Sequence, residues 1–534
     1  MKKLLFVLVL GMCFVLACQR EPSQTPGVAQ SQPKRGGTYR AALPWQPRNL
    51  DPAFSTDIYS VTIIQQIFDG LVQFDRNLYV VPALASSWTV SSDGLVYTFT
   101  LRRDVRFHNG RSVTASDFVY SFTRILAPQE DSSALSFFER IQGADIYRRG
   151  KARTVSGLTA PDPYTLQIAL KEPFSPFLSI LAMKSSKVVP REEVERLGKD
   201  FGHHPVGTGA FRLHSFQGDR IVLTANPDYF EGAPYLEEVV YSIYPGAQTE
   251  KIAEEFLAGR LEESPFLKSI QEKIPGKDTY QLVRKPSLSL MFYGMNCASE
   301  PLTDLRVRQA IACALNKDQI IQEVYRDQFV PAKTMLPPGM TGYTPENAVY
   351  DYDPEKARKL LVAAGYGSSS KRLSLTLLSA SKSTAAQREL ALIGADLAKV
   401  GIDLQVQYET DWPAFEAALT RDSLQLYRYA WFADIPDPDN FLGILCGSGS
   451  RYNFMRYRNP DVDRLLSQAL RETDLLKRVT LYREAERIIL AQAPMVPWIY
   501  LTLESVFQPY VKGLEISALG QPYIPLKKMW LYRE

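Results

Sequence analysis

Four histidines, His108, His203, His204 and His214, are the entire imidazole inventory of 534 residues. None stands in an H-E-x-x-H or another recognisable ligand pair, and the adjacent His203-His204 before Pro205 reads as a loop. After Cys18 only Cys297, Cys313 and Cys446 remain. Three is an odd number, and no pair has C-x-x-C or zinc-type spacing. No metal site is therefore predicted, and the spacing does not choose a disulfide pair. Cys313 falls inside an amphipathic helical pattern and reads as core. There is no G-x-S-x-G elbow, no G-x-x-x-x-G-K-[ST] loop and no G-x-G-x-x-G fingerprint. Gly207-Thr208-Gly209 is a short glycine turn without the further glycine and lysine that a phosphate loop needs. Triads are assembled in space rather than in sequence, so an exported hydrolase stays open as an alternative. The weight falls on a binding protein with no catalytic residue and no cofactor.

The elements that would position a binding site belong to a large body. At ~150 residues per domain the chain makes three or four lobes. A charged fraction of 22% beside 45% apolar residues is the balance of a folded, soluble protein. Lys+Arg is 61 and Asp+Glu is 58. That near-neutrality argues against nucleic acid, whose phosphates call for a basic excess.

The one long uncharged apolar run is residues 4–16, behind Met1-Lys2-Lys3. It is short for a bilayer core of ~30 Å and suits a secretory leader over residues 1–17. Val15-Leu16-Ala17-Cys18 resembles a bacterial lipobox, in which the leader is cut before the cysteine and Cys18 carries lipid. Leu16 departs from that pattern, which prefers a smaller residue. Residues 18–35, rich in Pro, Ser and Gln, read as a flexible tether to a membrane facing the periplasm or cell exterior.

Strands follow from period-two alternation. Leu95, Tyr97, Phe99 and Leu101 share a face, as do Tyr164, Leu166, Ile168 and Leu170, and then Ile221, Leu223 and Ala225. Asn459-Pro460 reads as an N-cap with proline at the first helical position. A second helix after Thr473 carries Leu475, Val479, Tyr482, Ala485 and Ile489 on one stripe. A helix over about 385–399, Gly401 and a strand over 402–408 have the order of an α/β layer. The fold class is mixed α/β.

Seven strings then carry a resemblance. Asn49-Leu50-Asp51-Pro52 and Phe68-Asp69-Gly70-Leu71 come first. Residues 101–110 (LRRDVRFHNG) with 113–121 (VTASDFVYS) follow, then 205–211 (PVGTGAF) and 226–230 (NPDYF). Residues 304–310 (DLRVRQA) and Trp431-Phe432-Ala433-Asp434 with 437–441 (DPDNF) complete them. In that order they resemble the peptide-type solute-binding proteins of bacterial ABC importers, the oligopeptide, dipeptide and nickel cluster.

The resemblance implies a two-lobed clam shell. Lobe one would span 36–286, with an extra subdomain at about 63–189. Lobe two would span 287–505, and 506–534 would return to lobe one. It implies an oligopeptide held between the lobes and delivered to permease subunits by a monomeric receptor. A nickel chelate, haem, a sugar, or a surface adhesin role are the alternatives. The resemblance places the ligand-amine anchor at Asp434 and a pocket aromatic at Trp431, and it gives Arg428 the ligand carboxylate. Thr56 and Ile58 would offer first-lobe contacts, and Phe137 or Phe138 the subdomain side. An ammonium withdrawn from water needs a fixed anionic partner, which is the physical reason for an aspartate there.

Overall fold

The computed structural model describes residues 33–532 apart from 129–131, 133, 246–247, 266–279, 327 and 367–371. The leader and tether expected from the sequence, with Cys18, lie outside the described residues as far as residue 32. Lobe one is built on a four-stranded sheet, in the order Thr38–Leu43, Glu238–Ile243, Arg220–Ala225, Phe211–Gln217. The first pair is parallel and the others antiparallel. Its core takes Tyr39, Ile63, Phe68, Phe211 and Leu223, and also Phe507, Val511 and Met529 from the chain's far end.

The subdomain has its own sheet, Ala85–Val90, Val96–Leu101, Thr165–Ala169 and Leu158–Asp162. The alternation read from sequence is the burial pattern: Tyr97, Phe99 and Leu101 face inward with Leu166 and Ile168. The helix Ala115–Ile125 covers that face with Phe118 and Phe122. Its start is fixed by Asp117, whose carboxylate accepts the Thr114 N–H at 2.8 Å and two N–H groups of Arg111.

Lobe two centres on a six-stranded sheet, in the order Val330–Pro331, Met495–Tyr500, Ser289–Met295, Leu426–Phe432, Leu373–Ser379, Ile402–Tyr408. Both faces are covered. Leu290, Phe292, Tyr427 and Tyr429 join one core, and Met291, Tyr293, Met295 and Leu426 join the other. Asn459 caps the helix Pro460–Arg471 as expected, accepting from Asp461 N at 2.9 Å.

The following helix, Leu475–Ala491, corrects one expectation. Leu475 is 58% exposed, while Arg478 is buried. The Asp474 cap starts the helix beyond the edge of the core, so its first turn meets solvent. Cys297, Cys313 and Cys446 are unpaired.

Two strands cross between the lobes side by side. Gln281–Pro286 pairs with Thr502–Phe507 on the lobe-one side, and Ser289–Met295 pairs with Met495–Tyr500 in lobe two. At the crossing Ser287 N donates to the Leu501 carbonyl at 2.9 Å, and Leu501 N donates to Ser289 Oγ at 3.1 Å. Two adjacent strands hydrogen-bonded at the crossing are the double connection that a hinge between the lobes would use.

Four of the recurring strings meet at one junction of subdomain and lobe one. His108 N donates to the Gly207 carbonyl, and the ring Nε2 lies 3.0 Å from the Gly209 carbonyl. Asn226 Nδ2 donates to that same carbonyl at 3.0 Å. Thr208 Oγ1 and Tyr229 OH both donate to Asp69. A Cβ on Gly209 would stand 2.4 Å from the Gln66 carbonyl oxygen, so only glycine fits there.

Two outcomes follow from this junction. Gly209→Ala lowers stability by about 1–3 kcal/mol in chemical unfolding. Burial holds His108 down to about 4, so below the unfolded value of ~6.5 the unfolded state takes a proton that the folded state refuses. Stability therefore falls as pH drops from about 6.5 towards 4, and His108→Gln flattens that slope.

Candidate ligand site between the lobes

The strand Leu426–Phe432 ends at the hinge, where Ala433 N donates to the Leu288 carbonyl at 2.8 Å. The loop beyond it is braced from below. Asn440 is buried, and its Oδ1 accepts Asp434 N at 2.9 Å and Trp431 Nε1 at 3.4 Å. Asp437 accepts one Arg478 guanidinium nitrogen on both its oxygens, at 2.7 and 2.8 Å. A buried ion pair hydrogen-bonded in this way fixes geometry, whatever its net contribution to stability. The loop then reaches across the gap. Ile435 is 3% exposed and packs into the subdomain core. A seam closes beside it, with Ser175 N donating to the Leu470 carbonyl at 2.8 Å and Arg471 paired to Glu172 at 3.0 Å.

Asp434 therefore stands between lobes on a rigid loop. Its side chain is open to water-sized contact, yet protein surrounds it closely enough that burial raises its pKa; a bond with Asn440 and the charge of Lys184 oppose that rise. Those two observations agree if the carboxylate faces an enclosed gap rather than bulk solvent. Lys184 belongs to the subdomain, and its Nζ donates to the Ser55 carbonyl. Burial lowers its pKa, against the charges of Asp434 and Asp57. Tyr523, from the C-terminal segment, is pushed up by burial with Asp434 the nearest charge. Two distant stretches of chain, at Lys184 and Tyr523, thus act on Asp434.

The structure brings together part of the expected set. Trp431 lies beside Asp434, half-buried, its ring 5.2 Å from that of Tyr452. Thr56 and Ile58 are exposed at the start of the helix Ile58–Ile67, next to the Ser55 carbonyl that Lys184 holds. Phe138 is fully buried in the subdomain core, whereas Phe137 is half-buried against it. Arg140, just beyond, is near enough to act on Asp439 across the gap.

Arg428 is not brought to this group. In a strand, side chains three apart point to opposite faces, so Arg428 leaves Trp431's face for the other side of the sheet. There its Nε donates to Glu389 at 3.0 Å. Glu389 is wholly buried and also accepts Tyr293 OH and Trp498 Nε1.

Lys184, Asn440 and Tyr523 were not singled out by sequence. A lone lysine after a short apolar helix and a tyrosine in a C-terminal coil carry little local signal. Asn440 lies within a recurring string, and its buried side chain is what that string is for. Among the described residues no cluster of His, Cys, Asp or Glu could hold a metal ion, and no helix is long and apolar enough to cross a membrane.

Two α/β lobes, a double-stranded hinge and an anionic group fixed between them define a hinged solute-binding protein. Residues 79–453 match the family model of bacterial extracellular solute-binding proteins, family 5 Middle. The chain belongs to this family, the peptide-type solute-binding proteins of ABC importers. It is 32% identical over 480 residues to the dipeptide-binding protein of Escherichia coli, covering 85% of this chain and 87% of that one. It is 30% identical to haem-binding protein A of Haemophilus influenzae, covering 94% and 95%. The structure of DppA from Helicobacter pylori in complex with the peptide STSA superposes with a TM-score of 0.75 at 28% identity, over 94% of this chain and 99% of that one.

Arg428→Met is expected to act on stability. It leaves Glu389 buried without its ion partner, a loss of about 3–5 kcal/mol in chemical unfolding, while ligand affinity of the folded protein stays within about threefold. A fall in affinity at unchanged stability would return Arg428 to the ligand.

Proposed function

We propose that this chain captures peptides with a free amino terminus in the interlobe gap and hands them to an ABC importer, bound to the membrane by lipid on Cys18. The observation that carries this reading is Asp434, whose backbone N–H is held by Asn440 and whose carboxylate pKa is raised by desolvation in the gap. An incoming ammonium relieves that cost by a charge-assisted hydrogen bond. Trp431 supplies a flat, half-buried wall for the first side chain. The exposed segment at Thr56 and Ile58 offers backbone groups to an extended chain, the strand-addition mode that tolerates many sequences. Closing about the hinge then removes both from water. Relatives named for dipeptides and for di/tripeptides support this choice of ligand. The alternative with a specific relative behind it is haem, which has no ammonium group. The ligand leaves unchanged, with no bond broken.

Calorimetry of the ligand-stripped protein tests the anchor. Asp434→Asn weakens a free-amine tripeptide by at least about 30-fold and its N-acetylated form hardly at all, because truncating one partner of a buried charge pair costs about 2–5 kcal/mol. Equal losses for both, or haem binding insensitive to the change, would overturn it. The pH dependence has a definite sign. Asp434 must be ionised to hold an ammonium, so affinity fails as pH falls through its raised pKa, earlier than for an ordinary aspartate of ~3.9.

A further inference from the structure

A second enclosed space lies in lobe one, with Tyr523 in its wall. It is a cavity of about 230 Å³, with Gln65, Ala182, Lys187, Tyr229 and Lys527 among its walls. The charged groups facing it are Asp69, Asp75, Glu231 and Glu515, against Arg76, Lys187, Lys527 and Lys528.

Every carboxylate in that set already has hydrogen-bond donors. Asp69 accepts Thr208 Oγ1 at 2.9 Å and Tyr229 OH at 3.1 Å. Asp75 accepts the N–H groups of Asn77 and Tyr79 at 2.8 and 2.9 Å. Glu231 accepts Gln73 Nε2 and pairs with Lys527, both at 2.7 Å. Glu515 pairs with Lys528 at 2.8 Å.

The donors are not so matched. Lys187 is 5% exposed, and among the described residues it forms no hydrogen bond and no ion pair. Gln65 Nε2 is buried without a hydrogen-bond partner, although the Tyr523 hydroxyl acts on the same amide from nearby. The remaining cation, Arg76, is exposed. A buried donor left unmade costs free energy; Gln65 Nε2 is one, and the Lys187 ammonium shares its cavity with no direct acceptor of its own.

We propose that this lobe-one cavity is a carboxylate-binding site, with the Lys187 ammonium and the Gln65 carboxamide as its donors. Burial holds Lys187 down to about 8, against the charge of Asp69 and with that of Lys527 adding to the shift. A bound carboxylate adds a direct hydrogen-bonded anion to the more distant charge of Asp69 and raises the Lys187 pKa again. Tyr523 faces both this cavity and Asp434. The carboxylate has two sources: an acidic side chain of the occupant of the gap, which rests on the peptide reading, and a free small acid, which does not.

The test is the rate at which an amine-specific reagent labels Lys187 in the full-length, ligand-stripped protein, read by peptide mass mapping. Acetate is expected to slow labelling about fivefold at about pH 8, since a one-unit rise in pKa removes most of the free amine. The exposed Lys359, outside the cavity wall, serves as the internal control, and chloride at equal ionic strength as the salt control. Protection by a glutamate-containing tripeptide, at concentrations where trialanine gives none, assigns the site to a ligand side chain. Protection by acetate alone assigns it to a free acid, and stands even if the Asp434 anchor fails. Lys187→Met abolishes the acetate-dependent gain in thermal stability and Lys187→Arg keeps it; should the Met variant not fold, the labelling of the natural protein decides. Labelling unchanged by acetate and by the acidic peptide overturns the proposal.

Discussion

A carboxylate placed in a gap between two bodies is costly unless something positive meets it, and the architecture around Asp434 follows from that constraint. The loop that carries the charge cannot swing away, because the Asp434 backbone N–H is tied to Asn440 and the next residue is sunk in the subdomain core. The charge is not fully relieved by Lys184 either, whose ammonium is committed to the Ser55 carbonyl and shared with Asp57. What remains is a preference for a cation brought from outside. The loop's brace, the Asp437–Arg478 pair beneath it, is buried for the same reason. A fixed anchor is preorganised, so a ligand meets the carboxylate without first ordering it.

The two lobes also serve that group. The hinge ribbon keeps its hydrogen bonds through the crossing at Ser287 and Leu501, so opening need not break secondary structure. The seam at Ser175, Leu470 and the Glu172–Arg471 pair is polar and half-exposed. Contacts of that kind are individually worth little, so the apolar contact of Ile435 with the subdomain core is the part of this surface that resists opening.

Local chemistry made much of this fold readable. The inward faces of Val96–Leu101 and Thr165–Ala169, the Asn459-Pro460 cap and the helix–Gly401–strand unit all depend on near neighbours in sequence. The failures share a cause as well. Leu475 fits the helical stripe, yet the stripe begins before the core does. Arg428 lies three residues from Trp431, a spacing that places them on one side of a helix and on opposite sides of a strand. Lys184 and Tyr523 reach Asp434 from 250 and 89 residues away along the chain, counting from the sequence positions themselves, and no local pattern encodes such a meeting. The recurring strings gave the family, but most of them build the His108–Gly209–Asp69 junction or cap helices. Only the string at 431–441 delivers groups to the gap.

The central claim concerns the protonation of one side chain, and carbon NMR of Asp434 titrated in the ligand-free and tripeptide-loaded protein measures it directly. The account predicts a carboxyl pKa above the ordinary aspartate range when the gap is empty and below that range once the ligand's ammonium is in place. A pKa that does not move on loading would contradict it.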